Sequence, residues 1–284
     1  MVAQPSRDCD IEVSFGSLAL GEVAACRELY NTPRLRVLHV EEGYHFAYPD
    51  AEFLVSGNGR HIVAHTPESS SVEDTCTYLV GPVVGFAMRL HGIVSLHASV
   101  VAIDGKAVAL CGAPGAGKSS SAAGLARLGY PVIAEDVGAL QETPGGFNVQ
   151  PGYPRVNLWP DSARSFAVEG EPLPAITPNW GKKYLPLTDA FYPFAAPLSA
   201  IYILEPRSTE VAATFRPLGP MEALIALAGN TYTNYVLDAS MRQREFDVLN
   251  RIISTLPVRA VSAPHDLARL SEFCGDLVND FRRQ

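Results

Sequence analysis

Apolar and polar positions follow two regimes along this chain. From Ile11 to about Thr66, short apolar stretches are cut by turn residues. Leu35 to Val40, Tyr44 to Tyr48, Glu52 to Val55 and His61 to His65 have strand character, with turns at Glu42-Gly43, Pro49-Asp50 and Gly57-Asn58-Gly59. Strands at that spacing predict a small antiparallel sheet. Met1 to Asp10 reads as a frayed tail. A helix is expected from about Val72 to Leu90, kinked or broken at Gly81-Pro82 because proline removes a backbone donor.

From Ile93 the pattern changes. Ile93 to Ile103 is a long β-prone run that ends at Asp104-Gly105, a hairpin signal, and Lys106 to Cys111 returns as its partner. A small-residue helix, Ser120 to Leu128, is closed by Gly129, and Pro131 to Ala134 follows as a buried strand. Prolines at 151, 154 and 160 argue against helix before Asp161. Later elements are a strand at Leu198 to Leu204, a helix from Pro220 to about Ala228, a helix from Arg242 to Leu256, a strand at Val258 to Val261 and an amphipathic helix from His265 to Phe281. This is an α/β chain with a β-rich region over 1–90, ending in a helix, and a larger domain over 91–284.

Composition narrows the function classes. The 284 residues are 47% hydrophobic and 18% charged, enough for a sizeable core, and the net charge is −8. An acidic chain is a poor non-specific binder of nucleic acid or of anionic membranes, so neither is expected as a partner. The N-terminus shows no signal pattern and no apolar run nears membrane-spanning length, which with five scattered cysteines and no C-x-x-C pair gives a cytoplasmic expectation.

The chemistry concentrates at Gly112-Ala113-Pro114-Gly115-Ala116-Gly117-Lys118-Ser119, a complete G-x-x-x-x-G-K-S loop between the strand 107–111 and the helix that Ser120 opens. The loop from Gly112 to Ser119, together with Ser120, is expected to bind the nucleotide: its backbone N–H groups, with the partial positive charge of the helix N-terminus, suit a phosphate. Lys118 would reach the β/γ oxygens and Ser119 would bind Mg²⁺, with ATP or GTP as the nucleotide. The next strand ends in Glu135-Asp136. Two adjacent carboxylates there offer two roles, one for the metal and one for taking a proton from an attacking hydroxyl. Arg155, Lys182 and Lys183 are further cations for phosphate or substrate. Gly181 to Tyr184 reads as a proline-bounded loop able to close over a nucleotide.

Leu96-His97-Ala98-Ser99, the hairpin, GAPGAGKS, a helix ending Arg127-Leu128-Gly129-Tyr130 and Val132-Ile133-Ala134-Glu135-Asp136 together resemble the catalytic domain of HPr kinase/phosphorylase. The resemblance spans about Leu90 to Leu140. It implies a phosphoenolpyruvate-carboxykinase-like P-loop kinase core. It also implies His97 beside the phosphates, Lys118 on the transferred group, Ser119 and Glu135 at Mg²⁺, and Asp136 as the base for a serine hydroxyl. Glu135 stands where the family has Asp. The family's Arg-Gly-Leu-Gly signature is missing; Gly152 to Pro160 stands in its place, which speaks against HPr as substrate and against the reverse phosphorylase reaction. The chain is more similar to HPr-kinase-related proteins of peptide-maturation clusters, and that similarity implies a peptide or protein serine as acceptor. A small-molecule kinase acting on free serine or a similar alcohol, and a silent nucleotide-binding regulatory module, stay open, as does a homo-oligomer.

Overall fold

The computed structural model describes residues 11–18, 27–167, 171–206, 212–264 and 266–284. The expected N-terminal tail, Cys9, Cys26 and His265 lie outside them. The chain divides into two compact units.

The first unit comprises Met1–Ile93 with Thr177–Trp180 and Tyr235–Asp238. Its strands are β1 (Glu12–Phe15), β2 (Arg27–Thr32), β3 (Leu35–Val40), β4 (Gly43–Tyr48), β5 (Ala51–Ser56) and β6 (His61–His65). They form one sheet in the order β1-β6-β5-β4-β3-β2. Strands β2 to β6 pair antiparallel, whereas β1 runs parallel to β6. In β5 the residues alternate, with Ala51, Phe53 and Val55 inward. The helical region is α1 (Val72–Tyr78), a π-helical turn over Leu79–Val83 and α2 (Val84–Leu90). Ser71 caps α1 reciprocally with Asp74, the arrangement that satisfies two orphan donors. The break falls at Gly81 (φ −99°, ψ −106°), beside Pro82. Phe86 of α2 packs on the sheet against Tyr44 and Phe46, with ring centroids 4.8 and 5.2 Å away. The two later segments complete this unit: Trp180 packs against Tyr78 and Tyr235 against Tyr30.

The second unit holds Val94–Ile176, Gly181–Asn234 and Ala239–Gln284. In chain order it contains β7 (Ser95–Ile103), β8 (Lys106–Gly112), α3 (Lys118–Arg127), β9 (Val132–Ala134), β10 (Val137–Thr143), β11 (Gly146–Val149), β12 (Arg155–Leu158) and α4 (Pro160–Phe166). Then follow β13 (Lys183–Pro186), β14 (Ala196–Leu204), β15 (Thr214–Pro217), α5 (Pro220–Gly229), α6 (Ala239–Thr255), β16 (Val258–Ser262) and α7 (Leu270–Arg282). The main sheet runs β11-β10-β7-β8-β14-β16-β15, and β9 pairs with β7. Strands β8, β14 and β16 are mutually parallel. Both faces are covered, so the central strands are apolar on both sides. Ala109, Ile201, Leu227, Leu249 and Ile252 pack on one face, and Val108, Leu110, Leu125, Tyr202 and Leu277 on the other. A separate two-stranded ribbon joins β12 and β13. The segment expected as a loop, Gly181 to Tyr184, is loop only in its first half: Gly181 and Lys182 lie outside the strand, whereas Lys183 and Tyr184 are paired strand residues. The last helix likewise starts later than expected, after a 3₁₀ turn over Leu267–Arg269. Among the described residues no helix is long and apolar enough to cross a membrane.

Helix α3 packs against α7 at Gly124, where a Cβ would come within 2.8 Å of Cys274 Sγ and 3.1 Å of Leu270 Cγ. Overfilling such a contact typically costs about 1–3 kcal/mol. Gly124→Val should therefore lower the urea midpoint by an amount equivalent to roughly 2 kcal/mol at unchanged m-value, and an unchanged midpoint would contradict the packing.

Candidate active site

Strand β8 lies between β7 and β14 and ends at Gly112, on the C-terminal side of the parallel strands. Gly112, Gly115 and Gly117 have φ of 145°, 83° and 109°, a region that L side chains avoid. Between them the Ala116 N–H donates to the Ala113 carbonyl at 3.0 Å, across Pro114. Gly117 caps α3 without any side-chain bond, which leaves first-turn N–H groups for an anion. Ser120 follows in the first turn of the helix. Its hydroxyl is committed to Ser162 Oγ at 2.9 Å, so only its backbone can serve the loop.

Lys118 folds back over the loop, donating from Nζ to the carbonyls of Gly112 at 2.7 Å and Ala113 at 3.4 Å. Burial lowers its pKa, and the neighbouring acidic groups work in the other direction. Ser119 Oγ donates to Glu135 Oε1 at 2.7 Å. The helix start and the end of β9 are thereby joined through the two side chains the sequence assigns to a metal. Glu135 is 5% exposed, and its Oε2 has no hydrogen-bond partner. Burial, then the charge of Asp136, push the Glu135 carboxyl up to about 7, while Ser119, Lys182 and the Asn157 backbone pull it down.

Asp136 follows directly, with φ of 70°, a value that costs a non-glycine residue strain unless its surroundings hold it. The holding groups are visible. His97 Nε2 sits 3.2 Å from Oδ1, and the Tyr232 hydroxyl donates to Oδ2 at 2.7 Å. Burial alone would raise the Asp136 pKa, but His97, Tyr232 and Lys182 outweigh it and bring the carboxyl below its ordinary value. The Tyr232 ring stands edge-on to His97 at 5.5 Å.

Sequence reasoning missed the segment that supplies Tyr232. The Asn230 carbonyl accepts the His97 N–H at 2.7 Å, and Asn230 Oδ1 accepts the Gly112 N–H at 2.7 Å. The only available signal was a polar run, Asn230 to Thr233, directly after the apolar α5. Of the three extra cations, Lys182 is brought to the site: its charge acts on Lys118, Glu135 and Asp136. Its Nζ lies 4.8 Å over the Trp159 ring. Strand alternation turns Lys183 away from the Tyr184 side of the ribbon. Arg155 lies over the Tyr153 ring at 4.9 Å and the Tyr184 ring at 5.5 Å. Among the described residues no group of three or more His, Cys, Asp or Glu side chains could hold a metal ion.

The raised Glu135 pKa has a sign. Between about 4.5 and about 7 the folded protein binds the proton that the unfolded chain has released, so this group's contribution falls as pH rises through that window. Glu135→Gln should therefore raise Tm relative to wild type at pH 8 and change it little at pH 4.5, in protein free of nucleotide and divalent cations. A Tm difference independent of pH would contradict this environment.

No protein-family model and no curated protein matches the chain. Among solved structures, the Hpr(Ser) kinase/phosphatase from Coxiella burnetii is similar at 13% identity and a TM-score of 0.37, over 66% of this chain and 96% of that one. A likeness of that size carries no conclusion about chemistry.

Proposed function

We propose that the second unit is a P-loop kinase core that transfers a phosphoryl group from a Mg²⁺-bound nucleoside triphosphate to a hydroxyl, with a serine of a peptide or protein as acceptor. The observation that carries this is the joining of Ser119 to Glu135 at 2.7 Å, directly beside an Asp136 held by two donors. The residues fit the missing groups. Glu135 Oε2 is orphaned on the same carboxylate that Ser119 reaches through Oε1, and a hard cation held by Ser119 and Glu135 would satisfy it. With too few carboxylates for an all-protein cage, such a cation would complete its shell with phosphate oxygens and water, as Mg²⁺ characteristically does.

When bound, the nucleotide supplies the phosphoryl group and Mg²⁺ neutralises charge on its oxygens. The chain's own residues do the rest. Lys118 exchanges the loop carbonyls for phosphate oxygens. Lys182 adds a second positive charge, useful because charge in the transition state spreads over the equatorial oxygens. Asp136, ionised at neutral pH and still 36% exposed, would take the proton of the acceptor hydroxyl as the hydroxyl oxygen bonds to the γ-phosphorus, the bond from that phosphorus to the β,γ-bridging oxygen breaks and the nucleoside diphosphate leaves. His97 and Tyr232 hold that carboxylate in one orientation.

Loss of a general base costs about 10²–10⁴ in rate. Asp136→Asn should lower kcat by that range and leave nucleotide affinity, measured by calorimetry, within about twofold. Near-normal turnover in this variant would remove Asp136 as the base. Tyr232→Phe keeps the ring against His97 and removes one donor. The Asp136 pKa should then rise, and the acid limb of the kcat–pH profile should move to higher pH. An unmoved limb would mean that another group limits the rate.

A further inference from the structure

Beyond Glu135, two more buried polar atoms close to the site lack a hydrogen-bond partner, Arg155 Nε and Asn157 Oδ1. Buried groups of this kind ordinarily have partners, and each exception calls for a reason. Both sit on β12, where Val156 and Leu158 alternate into the core and so turn Arg155 and Asn157 to the same opposite side. Tyr184 stands opposite Asn157 in the ribbon. The guanidinium rests on two tyrosine rings, which fix its plane and leave its edge of N–H donors. Among the described residues no carboxylate pairs with it.

Lys182 acts on Lys118 and on both carboxylates. The charge of Arg155 acts on Tyr153, which itself lies beside Glu135 and Asp136. Asn157 links the same two neighbours: its backbone N–H serves Glu135, and its Nδ2 donates to the Tyr153 hydroxyl at 3.2 Å. The approach to β12 lies against the strand end that carries the acids: the Gly152 N–H donates to the Ile133 carbonyl at 2.8 Å, and a Cβ on Gly152 would come within 3.3 Å of Ala134 Cα and 3.8 Å of the Glu135 N, so Arg155 and Asn157 follow within a few residues of the two carboxylates.

We propose that Arg155 and Asn157 form an acceptor subsite that binds a carboxylate at the guanidinium edge and an N–H or O–H donor at Asn157 Oδ1. The acceptor hydroxyl then belongs to a molecule with a carboxylate close by. A planar guanidinium fork matches a planar carboxylate through two parallel hydrogen bonds, and a neighbouring amide N–H suits the orphaned Oδ1. The carboxylate can come from a free hydroxy amino acid, from the last residue of a peptide or from an acidic side chain beside the reacting serine. This inference rests on the transfer site proposed above.

N-acetylserine and its neutral amide, N-acetylserinamide, are matched probes that differ in the carboxylate. Their binding to the full chain is compared in the presence of ADP and Mg²⁺, for wild type, Arg155→Gln and Arg155→Lys. Wild type should bind the carboxylate at least tenfold more tightly than the amide. Arg155→Gln should abolish the difference, Arg155→Lys should restore part of it, and nucleotide affinity should stay within twofold throughout. Equal or absent binding of both probes by wild type, a preference that survives Arg155→Gln, or a parallel loss of nucleotide affinity would each overturn the subsite. Transfer of labelled phosphate to free serine, to a peptide ending in serine and to an amidated Ser-Asp peptide identifies the source of the carboxylate. An Arg155-dependent preference with no transfer to any acceptor would sustain the subsite and sink the transferase reading.

Discussion

The start of α3 and the end of β9 are tied by one hydrogen bond, from Ser119 Oγ to Glu135 Oε1. Two carboxylates stand side by side at that strand end, Glu135 buried and Asp136 partly open to solvent, and like charges so placed cannot both ionise freely. The fold treats them differently. Glu135 receives one hydroxyl and one backbone N–H and is pushed up to about 7. Asp136 receives His97 and Tyr232 and is held below its ordinary value. Neighbouring acids driven apart in this way commonly divide the chemistry between them. In the proposed reaction Glu135 is the carboxyl that takes the cation and Asp136 the one that accepts the proton.

The second constraint is the strap from Asn230 to Thr233. It grips the first glycine of the loop through Asn230 Oδ1 and strand β7 on either side of Leu96, since Tyr232 N–H donates to the Ser95 carbonyl and His97 N–H to that of Asn230. It then reaches Asp136 through the Tyr232 hydroxyl. The strap itself is strained at Thr233, with φ of 55°. Loop, histidine and acid thus share one support, and a shift in any of them is felt by the others.

Local rules made much of this legible in the sequence. Alternation marked β3 to β6, proline chemistry marked the break beside Gly81, and Asp104-Gly105 marked the β7–β8 hairpin. The run from Gly112 to Ser119 stood out because a strand, a glycine loop and a helix each leave their own signature. What escaped depends on long-range pairing. All four residues of β1 are exposed, so no apolar period betrays the strand or its parallel partner. The β12–β13 ribbon is flanked by prolines and is held by partners far apart in sequence. Tyr232 lies in a short polar run that any surface turn might carry, and only the folded chain brings it to Asp136. Arg155 and Lys182 were visible as cations, yet the aromatic rings that hold them, Tyr153 and Tyr184 for one and Trp159 for the other, are brought to them only by the folded chain.

A crystal structure of the full chain with Mn²⁺ and a non-hydrolysable ATP analogue tests the central claim most directly, because manganese is identified by its anomalous signal. The account predicts the cation at about 2.1 Å from Ser119 Oγ, a distance typical of a hard divalent ion. Glu135 should be bound to it directly or through one water, and Lys118 Nζ should have moved from the Gly112 carbonyl to a phosphate oxygen. An analogue bound away from Gly112 to Ser119, or a cation placed elsewhere while the Ser119–Glu135 hydrogen bond persists, would contradict it.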